Sequence, residues 1–210
     1  MDALINYFRE VSAFGPNAAD WWLVGIGGAT LFLLIITAAF AGIQIWHSGR
    51  TTKKNNSFFH IAIQTRDHDL IQMFEQFRLA RRKLRDGHIG SFGVEQVDER
   101  EISYAGKMLM AEDVLKKVFN YYEATAIGIK NGALNEPILK DWWRRSYVLD
   151  FIDFALYVYQ RRLRDDAEKL FSEYEQQAIN WAEDDEKQQI EDAQAKARSW
   201  WREEQAKASD

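Results

Sequence analysis

Cysteine is absent from this chain of 210 residues. That excludes disulfides, thiol nucleophiles, cysteine-ligated zinc and iron–sulfur clusters. Proline occurs only twice, at Pro16 and Pro137, and four of the twelve glycines (Gly25, Gly27, Gly28 and Gly42) fall in one apolar stretch. So few breakers elsewhere predict long, uninterrupted helices. An excess of positive charge is also lacking: the net charge of −5 argues against a general binder of nucleic acid. What is present is an apolar content of 47%, too high for a disordered chain.

Charge of either sign is missing from Trp21 to Trp46, a run of 26 residues. As a helix it extends about 39 Å, enough to cross a hydrocarbon core of about 30 Å with some tilt. Trp21, Trp22 and Trp46 bracket the run, at positions where indole rings favour the headgroup level. A buried core helix seldom stays uncharged for so long. A cleaved signal peptide does not fit either, because Asp2, Glu10 and Asp20 make the preceding segment acidic. Arg50, Lys53 and Lys54 follow the run, whereas Arg9 is the only basic side chain before it. The positive-inside rule then places residues 1–20 outside and residues 47–210 in the cytoplasm. Lys53 and Lys54 are placed to touch anionic headgroups of the bilayer. Leu4, Ile5, Phe8 and Val11 suggest a short interfacial helix ended by Pro16 and Asn17.

The expected fold is all-α: one transmembrane helix followed by a bundle of three to four long helices. Its parts are an N-terminal segment (1–20), the span (21–46), a basic linker (47–56), the bundle (57–183) and a polar helical tail (184–210). Leu70, Met73, Phe77, Ala80 and Leu84 step by three and four, predicting a helix over about 57–84. Met108, Ala111, Leu115, Val118, Tyr122, Ala126 and Ile129 predict a second over about 98–130, stopped by Gly132. A third begins near Asn135 with Pro137 in its first turn, and Trp142, Ser146, Leu149, Ile152, Leu156 and Tyr159 line one side of it. Val148, Phe151, Ala155 and Val158 widen that apolar arc, which places the helix at the bundle centre. After Asp184 only Ile190, Ala193, Ala197, Trp200 and Trp201 continue an apolar stripe, so the tail reads as a partner-binding helix, a coiled-coil strand or a frayed end.

Residues 120–143 read NYYEATAIGIKNGALNEPILKDWW. Asn120, Tyr121, Tyr122, Glu123, Gly128, Ile129, Gly132 and Trp142 resemble the pattern of a family of bacterial and phage proteins known as a domain of unknown function, DUF4760. The resemblance extends loosely over about 55–165. It implies a helical, often membrane-anchored protein and no assigned activity. Read from the residues alone, the stretch is an αα-hairpin in which Gly128 permits close approach and Gly132 turns the chain. Glu123 accepts a hydrogen bond there or pairs with Arg144 or Arg145.

No catalytic motif stands out, and neither a cofactor nor a metal is implied. His47, His60, His68 and His88 do not share the three- or four-residue spacing of a zinc pair, and the neighbours Asp67, His68 and Asp69 point apart on a helix. The segment DGHIGSFG (86–93) lacks the ending of a phosphate loop and reads as a flexible connection. Of the many carboxylates, Asp150 and Asp153 are the most notable, because they sit on an apolar helix. If buried, they would face Arg161, Arg162 or Arg78, and structural pairing is favoured over catalysis. The clusters Arg81–Lys83 and Arg161–Arg164 read as solvated helix ends. The sequence therefore points to a membrane-anchored, non-enzymatic interaction or regulatory protein that contacts the bilayer and a protein partner or itself. The alternative is a membrane-associated enzyme or effector with a dispersed carboxylate and arginine site.

Overall fold

A computed structural model describes residues 18–86 and 90–209, the side chains of 18–25, 27 and 209 excepted. The expected interfacial helix before Pro16 lies outside the described residues. Among the described residues there are seven helices and one two-stranded sheet: α1 (Ala18–Arg66), α2 (His68–Arg85), α3 (Val94–Asp98), β1 (Glu101–Tyr104), β2 (Lys107–Met110), α4 (Ala111–Lys130), α5 (Glu136–Arg164), α6 (Ser172–Trp181) and α7 (Asp184–Ser209). The chain divides into two compact units between Thr51 and Thr52.

In the first unit the described side chains of α1 are exposed, and from Ile26 to Trp46 all but Thr30, Thr37 and Gln44 are apolar. An apolar window of α1 has a mean hydropathy of 2.0, which makes this helix long and apolar enough to cross a membrane. Its hydroxyls are satisfied internally: Thr30 Oγ1 donates to the Ile26 carbonyl and Thr37 Oγ1 to the Leu33 carbonyl, each at 2.8 Å. Such back-bonding removes the cost of an unpaired polar group in an apolar medium. The Arg50 guanidinium lies 4.3 Å from the centre of the Trp46 ring. Trp21 and Trp22 belong to α1, but their side chains are outside the described residues.

In the second unit, residues 52–66 of α1 are tied to the α4–α5 turn. The buried Ser57 hydroxyl accepts from Asn135 N at 2.6 Å and donates to the Lys53 carbonyl at 3.0 Å. Asn56 Nδ2 donates to the Ala133 carbonyl at 3.3 Å. The helix expected over 57–84 is therefore two helices. Asp67 ends α1 and caps α2, accepting from Asp69 N and Leu70 N at 2.9 and 3.2 Å.

The helix expected from 98 to 130 is also interrupted. Residues 101–110 form an antiparallel hairpin with Tyr104 opposite Lys107. Its two-residue turn holds Ala105 and Gly106 at φ of 49° and 77°, the positive values that match the twist of paired strands. Ile102 is fully buried beneath the hairpin.

α5 is central, as its wide apolar arc implied. It packs along α7 and against α3 and α6, while α4 contacts α2 and α6. The core is rich in aromatics that meet edge-on or tilted. Tyr147 lies 4.6 Å from Tyr174, Tyr174 lies 5.0 Å from Phe119, and Phe154 lies 5.1 Å from Phe92, all ring centre to ring centre. Such geometry sets positive ring edges against negative faces. α7 lays Ile190, Ala193 and Ala197 against this core, and each is buried.

Candidate functional site

Two aspartates on α5 and two arginines on α2 form the polar centre of the helical unit. Asp150 and Asp153 are three residues apart, and Arg81 and Arg85 are four apart, so each pair shares one helix face. Arg81 bridges both carboxylates: Nη1 donates to Asp150 Oδ1 at 2.6 Å and Nε donates to Asp153 Oδ2. Arg85 Nη2 donates to Asp153 Oδ1. The last oxygen, Asp150 Oδ2, accepts from the Tyr122 hydroxyl at 2.9 Å. Every carboxylate oxygen of the pair is thus used, which is what allows both to be buried.

The partners differ from those expected. Arg81 and Arg85 make the ion pairs in place of Arg161 and Arg162, because α2, and not the end of α5, faces this stretch; Arg78, also on α2, lines the same cleft as Asp150 and its charge acts on that carboxylate. Arg161 instead pairs with Glu112, Asp98 and Asp165, and Arg162 with Glu175. Burial pushes the Asp150 carboxyl up to about 6, and the neighbouring Asp153 charge adds to this, against the opposing pull of Arg81 and the Tyr122 hydrogen bond. Burial, and then Asp150, raises the Tyr122 phenol well above its ordinary range.

This network floors a cleft of about 370 Å³ whose walls include Phe74, Arg78, Trp142, Trp143 and Ser146. Trp143 is buried, whereas Trp142 is 58% exposed, so the indole expected on the core side of α5 stands at the cleft instead. The two are adjacent, and a rotation of about 100° per residue puts only one of them inward.

The other residues singled out in the sequence support the frame. Glu123 pairs with neither Arg144 nor Arg145. Its oxygens accept from Glu173 N at 3.2 Å and Tyr174 N at 2.7 Å, which caps α6. α6 needs this because Phe171, at its own cap position, has φ of 54° and offers no side-chain acceptor. Arg144 binds the Trp181 carbonyl at 2.9 Å and Glu186 at 2.7 Å. A Cβ on Gly128 would stand 2.7 Å from Leu134 Cδ1, so the close approach inferred there is with the turn that follows α4. Gly132 has φ of 66° and reverses the chain, with Lys53 Nζ beside it. Tyr121 stacks on His60 with ring centres 5.1 Å apart, and His60 bonds the Thr125 hydroxyl at 3.0 Å. Burial lowers the His60 pKa. Asn120 is exposed. His88 is outside the described residues, and among those described no three His, Asp or Glu side chains converge as metal ligands.

The sequence pattern described as Domain of unknown function (DUF4760) matches residues 31–181. The chain belongs to this family. No curated protein and no solved structure matches it. The DUF4760 match includes the whole Asp150–Arg81–Asp153–Arg85 network and the cleft, and it ends at the last residue of α6, so α7 lies beyond it. One signal in the sequence pointed to the network: two aspartates one turn apart on an otherwise apolar stretch of α5. Which arginines meet them is decided by packing.

Proposed function

We propose that this chain is a membrane-anchored, non-enzymatic binding or regulatory protein. α1 crosses a bacterial inner membrane once, with its N-terminus outside. Residues 52–210 present the cleft between α2 and α5 to the cytoplasm, and a protein partner or a second copy responds to what the cleft holds. The observation that carries this reading is the full occupancy of the Asp150 and Asp153 oxygens. Such carboxylates fix a scaffold, because each oxygen already holds a donor from the fold, while the exposed Trp142 and Arg78 beside them are open to a ligand. The absence of cysteine makes topology testable by single-cysteine labelling. Asp2→Cys should react with an impermeant maleimide on intact cells, and Lys207→Cys only after permeabilisation. The reverse pattern, or release of the protein by alkaline carbonate, would overturn the anchored reading. Mild crosslinking in native membranes then identifies the partner.

A second reading is favoured by one observation: Asp150, raised to about 6 at the floor of a cleft, can exchange a proton near neutral pH. It describes a membrane-associated enzyme or effector. Loss of a cellular phenotype in Asp150→Asn with the fold and partner retained would favour it.

A further inference from the structure

We propose that the cleft takes a small organic anion in which a phosphate is joined to a flat aromatic group. The inference rests on the binding-protein reading above and adds the ligand's chemical class. The cleft of about 370 Å³ shares Arg78 and Arg81 with a second hollow of about 450 Å³ lined further along the chain by Arg82, Arg85 and Asp86, so four guanidinium groups there face one carboxylate of the hollow's own. The two hollows therefore adjoin along α2 and have unlike linings.

One is aromatic. The exposed Trp142 and the half-buried Phe74 both line it, with Gln64 and Ser146 as polar groups at the wall. The other is cationic. Arg78, Arg81, Arg82 and Arg85 recur at one face of α2; the aspartates hydrogen-bond Arg81 and Arg85, while Arg78 acts on Asp150 through its charge alone. Arg78 and Arg82 are exposed and make no hydrogen bond or ion pair among the described residues. Two exposed guanidinium groups about one helical turn apart, neither hydrogen-bonded to a carboxylate, suit a phosphate, which they bind in a forked geometry. The volume suits a small molecule rather than a polymer. A ring alone would leave both arginines unused, and inorganic phosphate alone would leave Trp142 and Phe74 uncovered.

The test uses the full chain in nanodiscs and 1-naphthyl phosphate as the probe, with 1-naphthol and inorganic phosphate as its two halves, by titration calorimetry. The expected result is saturable one-to-one binding of 1-naphthyl phosphate at least tenfold tighter than either half. Arg78→Gln and Trp142→Ala should each weaken it tenfold or more, Arg82→Gln several-fold, and Trp142→Phe much less than Trp142→Ala. Because Arg78 and Trp142 are exposed, these variants should unfold at the wild-type temperature, which separates lost binding from lost fold. Arg202→Gln, on α7, should leave binding unchanged. No saturable binding up to several millimolar, equal affinity for 1-naphthol, or indifference to Arg78→Gln would each overturn the proposal. Membrane insertion and crosslinked partners, measured on the same preparation, would stand or fall separately.

Discussion

Replacing Asp150 with asparagine should change how stability depends on pH, and the sign is fixed by the direction of the shift. In the folded chain the carboxyl titrates at about 6, against 3.8 as the ordinary value. Between those two pH values the folded state holds a proton that the unfolded state has released. Stability therefore falls as pH rises through this window. The contribution is fully present below 3.8, is lost through about pH 6 and is gone at pH 7. A shift of about two units corresponds to about 3 kcal/mol at 1.36 kcal/mol per unit. The amide of the variant cannot titrate, so the wild type should gain about that much over Asp150→Asn between pH 7 and pH 4. Urea unfolding of the full chain in nanodiscs, followed by tryptophan fluorescence at several pH values, measures the difference directly. Parallel profiles would refute the reasoning. So would a wild type that loses ground to the variant on acidification, since that outcome requires Arg81 to dominate and hold the carboxylate ionised.

Tyr122→Phe should destabilise the helical unit by about 1–3 kcal/mol, because it strands Asp150 Oδ2 in the interior, and should move the Asp150 titration further up; chemical denaturation at pH 7 and pH 5 checks both. Glu123→Ala removes the acceptor for two backbone N–H groups of α6 and should cost about 0.5–2 kcal/mol, with faster hydrogen exchange at Glu173 and Tyr174. Ile190→Asp places a charge in the buried α5–α7 contact and should cost several kcal/mol, roughly 3 or more, opening the α7 backbone at Lys196 and Arg198 to trypsin. A variant as stable and as trypsin-resistant as wild type would mean that α7 is not packed as described.

Periodicity made α2, α4 and α5 legible, and the turn between α4 and α5 could be read from Gly132, Asn135 and Pro137. The failures have local causes. The hairpin was hidden because its turn is Ala105–Gly106, not the Asn–Gly pair that signals such a turn, and because Met108 continues the three–four spacing of α4 backwards. Asp67 was masked by apolar residues on both sides that keep one helical phase, so its role as a cap was read only as part of a ligand-like cluster. The docking of α7 was left open because Ile190, Ala193 and Ala197 form so thin a stripe; small side chains allow close approach, and it is α5 opposite that supplies the apolar area. The aspartate–arginine pairing lay beyond pattern reading, since any of several arginines could have been brought to α5 and only the packing of α2 selects Arg81 and Arg85.

The division of labour among these chemical groups bears on where function resides. Tyr122 anchors Asp150, Glu123 caps α6, Gly128 receives Leu134 and Gly132 turns the chain, so most of the motif of residues 120–143 is accounted for by construction. The same holds for Asp150, Asp153, Arg81 and Arg85, whose contacts are directed at one another. Large or charged side chains with no structural task are what a binding surface must supply, because a group already saturated by its own fold gains little from a ligand. At this face the large side chains least engaged by the fold are Trp142, Arg78 and Arg82, of which Arg78 touches the network only through its charge on Asp150. Substitutions in the motif should therefore act through stability, and substitutions at these three positions through binding alone; a variant series that measures both on the same protein separates the two classes.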